Sequence, residues 1–182
     1  MNPAIEARDL RKRYARVNPR RPWSLMDGPL AGAGVDLTIP EGEIFGLVGP
    51  NGAGKTTLFN CITGFSPPSR GDILFLDRRM NGLRPELICK LGMVRTWQMV
   101  RPLAGMSVLD NVMVGALCRT NSLAAARDIA REQLAVVRME GKARFPAGGL
   151  PLGERKRLEL ARVLATRPRL LLLDEVMGGL NP

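Results

Sequence analysis

The chain has 182 residues, 45% of them apolar, and carries a net charge of +10 without a single histidine. That length suits one domain with a buried core, and the missing histidine excludes a histidine general base, triad or metal ligand from these residues. No apolar run has the length and purity of a membrane span, and charges stand near the N-terminus where a signal peptide would be apolar, so a soluble, cytosolic chain is expected.

In chain order, Ile5 to Leu10 reads as an edge strand, followed by the basic segment Arg11 to Arg16. Within that segment stands Tyr14, the only tyrosine, which reads equally as a half-buried aromatic or as a ring stacked on a nucleotide base. From Asn18 to Gly34 the composition shifts to Pro, Gly, Arg and Ala without a period, which predicts a loop. Val35 to Ile39 alternates apolar and polar residues as a strand does. Pro40-Glu41-Gly42 then turns the chain into the run Glu43 to Val48, predicted to be a buried strand.

Gly49 to Thr57 (GPNGAGKTT) continues that strand as a tight glycine-rich loop running into a helix from Lys55 to Thr63. Strand, loop and helix in this order are what a P-loop requires. Glycines let the backbone curl around phosphate oxygens, so that amide N–H groups and the positive helix N-terminus point at the anion. Gly49, Pro50, Asn51, Gly52, Ala53, Gly54 and Thr57 form the expected cradle, Lys55 reaches the β- and γ-phosphates, and Thr56 ligates Mg2+.

Asp72 to Leu76 is a further strand, Pro85 to about Lys90 a helix, and Gly92 to Gln98 a short strand entering a loop. Val108 to Cys118 and Leu123 to Val137 carry apolar residues at helical spacing, with no strand signal between them. From Gly153 to Thr166 the pattern is again helical, with Leu158, Ala161, Leu164 and Ala165 as the buried stripe and Arg155, Lys156, Arg157 and Arg162 toward water. Leu170 to Leu173 is an apolar run closed by Asp174 and Glu175, the form of a fully buried parallel strand whose end reaches a site. With a P-loop upstream, Asp174 suits a second acid near magnesium and Glu175 suits polarisation of an attacking water. Hydrolysis is the leading reaction; the N-K-x-D motif of GTPases is absent. Cys61, Cys89 and Cys118 stand far apart, so buried thiols are expected rather than a disulfide framework or a zinc site. The scattered arginines suit nucleic acid, an anionic membrane surface or solvated faces, and alone do not choose between them.

These motifs resemble the ATP-binding subunits of ABC transporters over nearly the whole chain. Gly49 to Thr57 resembles Walker A, Gln98 the Q-loop glutamine, Leu170 to Glu175 Walker B, and Leu180-Asn181 the D-loop. Leu150-Pro151-Leu152-Gly153-Glu154 stands where the family has its LSGGQ signature. The resemblance implies an α/β fold, a P-loop NTPase nucleotide-binding domain of ABC type filling residues 1–182 as one domain. A helical subdomain over about residues 99–152 would be inserted between Q-loop and signature. It also implies roles: Glu175 and Gln98 catalytic, Gln98 beside Thr56 and Asp174 at the magnesium, Tyr14 on the adenine, and Gly153 at the γ-phosphate held by a partner subunit. ATP and Mg2+ are the implied ligands. Within the family, Phe59 to Gly64, Arg95 to Gln98 and Gly179 to Pro182 look most like branched-chain amino acid importers, with importers of amides and urea close behind. Implied partners are transmembrane permease subunits, a second ATP-binding subunit as homo- or heterodimer, and indirectly an extracytoplasmic substrate-binding protein. No nucleic acid is expected, and the implied location is the cytoplasmic face of the inner membrane, peripherally bound.

Leu152 and Glu154 depart from the signature, and a carboxylate beside triphosphate adds repulsion unless a cation offsets it. Val176 replaces the usual proline after the catalytic glutamate, and the segment from Tyr14 to Val35 is longer than usual. The family's switch histidine lies beyond the D-loop, so the chain is expected to be truncated, with the C-terminal part of the sheet missing. The competing readings are a degenerate ABC domain that binds ATP without efficient turnover, and an ABC ATPase acting on nucleic acid or ribosomes instead of in transport.

Overall fold

The computed structural model describes residues 3–18, 21–97 and 101–174, in two units that divide after Ile88. In the first, β1 (Pro3–Asn18) and β2 (Arg21–Pro40) form a long antiparallel hairpin. β3 (Arg70–Phe75) and the short β4 (Arg78–Arg79) complete an antiparallel sheet in the order β2-β1-β3-β4. Ile5 lies opposite Phe75 and Ala7 opposite Ile73, and all four are buried, because residues opposite one another project to the same face. After the P-loop, α1 (Lys55–Ile62) buries Leu58, Cys61 and Ile62, the i, i+3, i+4 set of one helical face.

Three expectations fail in this unit. Ile5 to Leu10 is not an edge strand: it lies within β1, which is paired on both sides, with β2 and with β3. Residues 21–34 are strand rather than loop: the hairpin runs from Pro3 paired with Pro40 to Asn18 paired with Arg21, through several register shifts. β2 is an edge strand, where proline costs no ladder bond and bulges absorb glycine, so pairing with β1 outweighs the loop-like composition. Residues 43–48 are not a strand. They carry no regular structure, and Ile44 and Val48 are almost fully exposed. An apolar run becomes a strand only when a neighbour takes up its N–H and C=O groups, and among the described residues no ladder reaches this one.

α2 (Pro85–Leu91) leads to the second unit, where β5 (Met93–Arg95) and β6 (Leu170–Leu172) pair in parallel, Met93 beside Leu170 and Arg95 beside Leu172. Leu172 is buried but Leu173 is half exposed, so the expected full burial of this strand holds only in part; among the described residues β5 is its one neighbour. Between the two strands come α3 (Val108–Ala116), α4 (Leu123–Val136) and α5 (Leu152–Leu164). Serines start the first two: Ser107 accepts from the Asp110 N–H at 3.1 Å and Ser122 from the Ala125 N–H at 3.3 Å. Val108, Val112, Ala130, Leu134, Leu150, Leu158 and Ala165 close one core among the three helices, each valine or leucine contributing about 1.5–3 kcal/mol. Gly115 allows α3 onto α5, since a Cβ there would stand 2.1 Å from the Arg162 carbonyl oxygen. Of the thiols only Cys61 is buried; Cys118 is exposed.

Candidate functional site

In the first unit the expected phosphate cradle is a loop pinned at both ends. Gly52 and Gly54 have φ of 82° and 92°, a left-handed backbone that a Cβ would strain, and this reverses the chain into α1. The Ala53 N–H donates to the Pro50 carbonyl at 3.2 Å, and the first intrahelical bond runs from the Leu58 N–H to the Gly54 carbonyl at 2.8 Å. The amides of Lys55, Thr56 and Thr57 precede that bond and are those a helix N-terminus offers to an anion. The Lys55 ammonium lies over its own loop, donating to the Gly49 carbonyl at 2.6 Å and the Pro50 carbonyl at 2.9 Å. The nine residues read as a P-loop thus form one closed turn even though the run before them is not a strand.

An open cleft adjoins this turn, walled by Leu10, Val35, Leu47, Val48 and Leu58 with Lys12, Lys55 and Thr57 as its polar side chains. Tyr14 stands at 3.4 Å from the Thr57 hydroxyl, and the Lys12 ammonium lies 5.3 Å from the ring centroid. The tyrosine is therefore beside the cradle, with a cation on its ring. Cys61 lines the same cleft; burial pushes its thiol up, partly countered by Lys12.

In the second unit Asp174 ends β6. Its carboxylate Oδ2 accepts from Arg95 Nη2 at 2.8 Å, and its N–H donates to the Thr96 hydroxyl at 3.0 Å. The two charged side chains are 3% and 12% exposed. Arg95 also donates to the Thr96 carbonyl at 3.2 Å and lies 4.5 Å from the Trp97 ring. Trp97 in turn donates its N–H to Glu159 Oε1 of α5 at 2.9 Å. Burial lowers the Arg95 pKa despite Asp174, and burial raises that of Glu159 despite the Trp97 N–H and the nearby Arg162, Arg95 and Lys156. Gln98 and Glu175, and with them Val176 and the D-loop residues Leu180 and Asn181, lie outside the described residues.

The signature position opens α5. Pro151 precedes it, Leu152 is exposed, and Gly153 and Glu154 form its first turn. Glu154 Oε1 accepts from Lys142 at 2.5 Å and lies 3.9 Å from Arg157, so the carboxylate at the expected signature position brings its own cation. Arg155 does not face water as expected: it donates to the Leu150 carbonyl at 2.6 Å and the Gly148 carbonyl at 3.2 Å, clamping the segment before the helix. Sequence reasoning missed Arg95, Lys142 and Glu159 as partners. For Arg95 a signal existed, a charge closing the otherwise apolar strand Met93–Arg95; the twelve-residue separation of Lys142 from Glu154 carries none.

Comparison with known proteins places this geometry. The family described as ABC transporter matches residues 33–178. The chain is 39% identical over 170 residues to the high-affinity branched-chain amino acid transport ATP-binding protein LivG of Escherichia coli K12, covering 85% of this chain and 67% of LivG. It is 40% identical to BraF of Pseudomonas aeruginosa, of the same description, at the same coverage. Among solved structures, the dimeric bacterial ABC transporter cassette MJ0796 superposes with a TM-score of 0.81 at 25% identity, covering 97% of this chain and 76% of that one.

Proposed function

The chain belongs to the ABC transporter family, and on that premise we propose that it is the ATP-binding, ATP-hydrolysing subunit of an importer for branched-chain amino acids or related amides. The observation that carries the nucleotide half of this reading is the closed turn Gly49 to Thr57 with Lys55 drawn over it. When triphosphate binds, the ammonium exchanges two neutral carbonyl acceptors for anionic oxygens. The ammonium is charged in both arrangements, but only the triphosphate oxygens bring an opposite charge to it, so Coulomb attraction favours the exchange. The first-turn amides of α1 hold the remaining oxygens, and Tyr14, beside Thr57, stacks on the base.

The residues present fit magnesium. As the family resemblance implies, Thr56, Asp174 and Gln98 would each offer a hard oxygen donor to the ion. When bound, the ion would supply positive charge to offset that of the nucleotide phosphates. Glu175 accepts the proton of the attacking water, and Gln98 orients that water. Gly153 and the first turn of α5 meet the γ-phosphate held by a second subunit, as a dimeric assembly requires, with Lys142 offsetting the charge of Glu154.

Permease subunits couple the cycle to transport, and an extracytoplasmic substrate-binding protein delivers the substrate. No helix among the described residues is long and apolar enough to cross a membrane, and we place the subunit peripherally on the cytoplasmic face, where its net charge of +10 favours anionic lipid headgroups. The test is Glu175→Gln in the complex assembled with its permease: ATP affinity is retained and phosphate release falls at least about a hundredfold, as expected for loss of a general base. An unchanged rate removes Glu175 from the mechanism. Co-purification with duplex DNA or ribosomes and not with membrane subunits replaces transport with a nucleic-acid role.

A further inference from the structure

A buried guanidinium is costly to desolvate and is kept where its geometry is used. Arg95 is 6% exposed, and its neighbours are arranged around it: the Asp174 carboxylate, the Thr96 carbonyl and the Trp97 ring. Thr96 joins the same two strand ends twice, donating its N–H to the Leu172 carbonyl at 3.0 Å and accepting the Asp174 N–H on its hydroxyl. Beyond Arg95, the Trp97 N–H to Glu159 bond continues the connection into α5, the helix that the signature opens. Asp174 is therefore fixed at its backbone by Thr96 and at its carboxylate by Arg95.

We propose that Arg95 is the positioning residue of the Asp174 carboxylate, holding one oxygen so that the carboxyl group is pre-aligned for a divalent cation, and that Trp97 reports optically on this contact. The proposal rests on the reading of Asp174 as a magnesium ligand. Without the guanidinium the carboxylate loses its side-chain partner among the described residues and turns toward water, and the alignment has to be created on binding. Outer-shell partners of metal ligands typically change metal affinity by about 10–100-fold when removed.

The experiment uses the full chain and a fluorescent ATP analogue, with affinity measured in EDTA and in Mg2+ for the parent, Arg95→Met, Arg95→Lys and Asp174→Asn. Arg95→Met should bind in EDTA within about twofold of the parent and lose about tenfold of the affinity gained on adding Mg2+. Arg95→Lys keeps the charge but not the fork and should lose about threefold of that gain. In nucleotide-free protein the emission of Trp97, separated from that of Trp23 by a Trp97→Phe control, should shift in Arg95→Met and much less in Arg95→Lys. An Arg95→Met protein that keeps the full gain overturns the proposal, as does an equal loss in EDTA and Mg2+, which is the mark of a merely structural residue. Should Arg95→Met fail to fold, an undiminished gain in Arg95→Lys overturns it and a reduced gain at unchanged EDTA affinity supports it. An Asp174→Asn protein with the full gain refutes the underlying reading of Asp174, a result separate from failure at Arg95.

Discussion

Removal of the Lys142 side chain tests how this protein accommodates the carboxylate of Glu154 at the proposed signature position. Glu154 Oε1 takes its short contact from Lys142, and Oε2 is buried without a partner among the described residues. The glutamate side chain is 16% exposed and the lysine 44%, which places the pair between two regimes. Exposed pairs contribute about 0.2–1 kcal/mol, and breaking a fully buried pair costs about 3–5 kcal/mol. With Lys142 screened by water and Arg157 at 3.9 Å offering partial relief, a coupling of about 1–2 kcal/mol is expected. Lys142→Ala should therefore lower stability by about that amount, Glu154→Gln should cost little, and the double variant should resemble Glu154→Gln alone. Urea melts of the four proteins give the coupling. In the assembled complex, Lys142→Ala should also raise the KM for ATP, and Glu154→Gln in the same chain should restore it. A coupling below about 0.3 kcal/mol, the limit of ordinary additivity, would show that the contact compensates nothing.

Gly115→Ala forces a Cβ to 2.1 Å from the Arg162 carbonyl oxygen, so α3 must move off α5. Overpacking of about 1–3 kcal/mol outweighs the gain of about 1 kcal/mol from alanine in a helix, and thermal melts should fall by a few degrees, whereas a rise would contradict the close approach. Glu159 has its pKa raised by burial, so its contribution to stability is fully present below the usual value of 4.5 and is lost as pH rises through the higher folded value. Melts of the parent relative to Glu159→Gln should accordingly decline from acid to neutral pH, and a difference independent of pH would show that Glu159 is not perturbed as described.

The P-loop turn was legible because it is local: Gly52, Gly54 and Lys55 stand within a few residues of one another, and their spacing alone defines the turn. The helices of the second unit were legible from their period and from Ser107 and Ser122, with boundaries shifted by a residue or two. What composition could not convey was pairing. Residues 21–34 look like a loop until β1 lies beside them, and residues 43–48 look like a strand although no neighbour among the described residues pairs with them. The same holds at the site. Asp174 was singled out as a candidate from the end of its strand, but Arg95 is 79 residues away in sequence and meets it only because β5 and β6 run side by side. Glu154 looked like a defect in the signature, and its offset by Lys142 depends on the 3-10 turn Glu140–Lys142 rather than on any motif.

The central claim is that Lys55 holds triphosphate, and equilibrium binding of Mg-ATP to Lys55→Ala tests it most directly. The parent ammonium already lies over the loop, bonded to the Gly49 and Pro50 carbonyls, so its removal leaves the first-turn amides of α1 alone to hold the anion. A charge-assisted contact of this kind contributes about 1.5–3 kcal/mol, so affinity should fall by about 10–100-fold while the melting temperature without nucleotide changes little. Binding equal to that of the parent, in a protein that melts as the parent does, would contradict the P-loop reading and the function built on it.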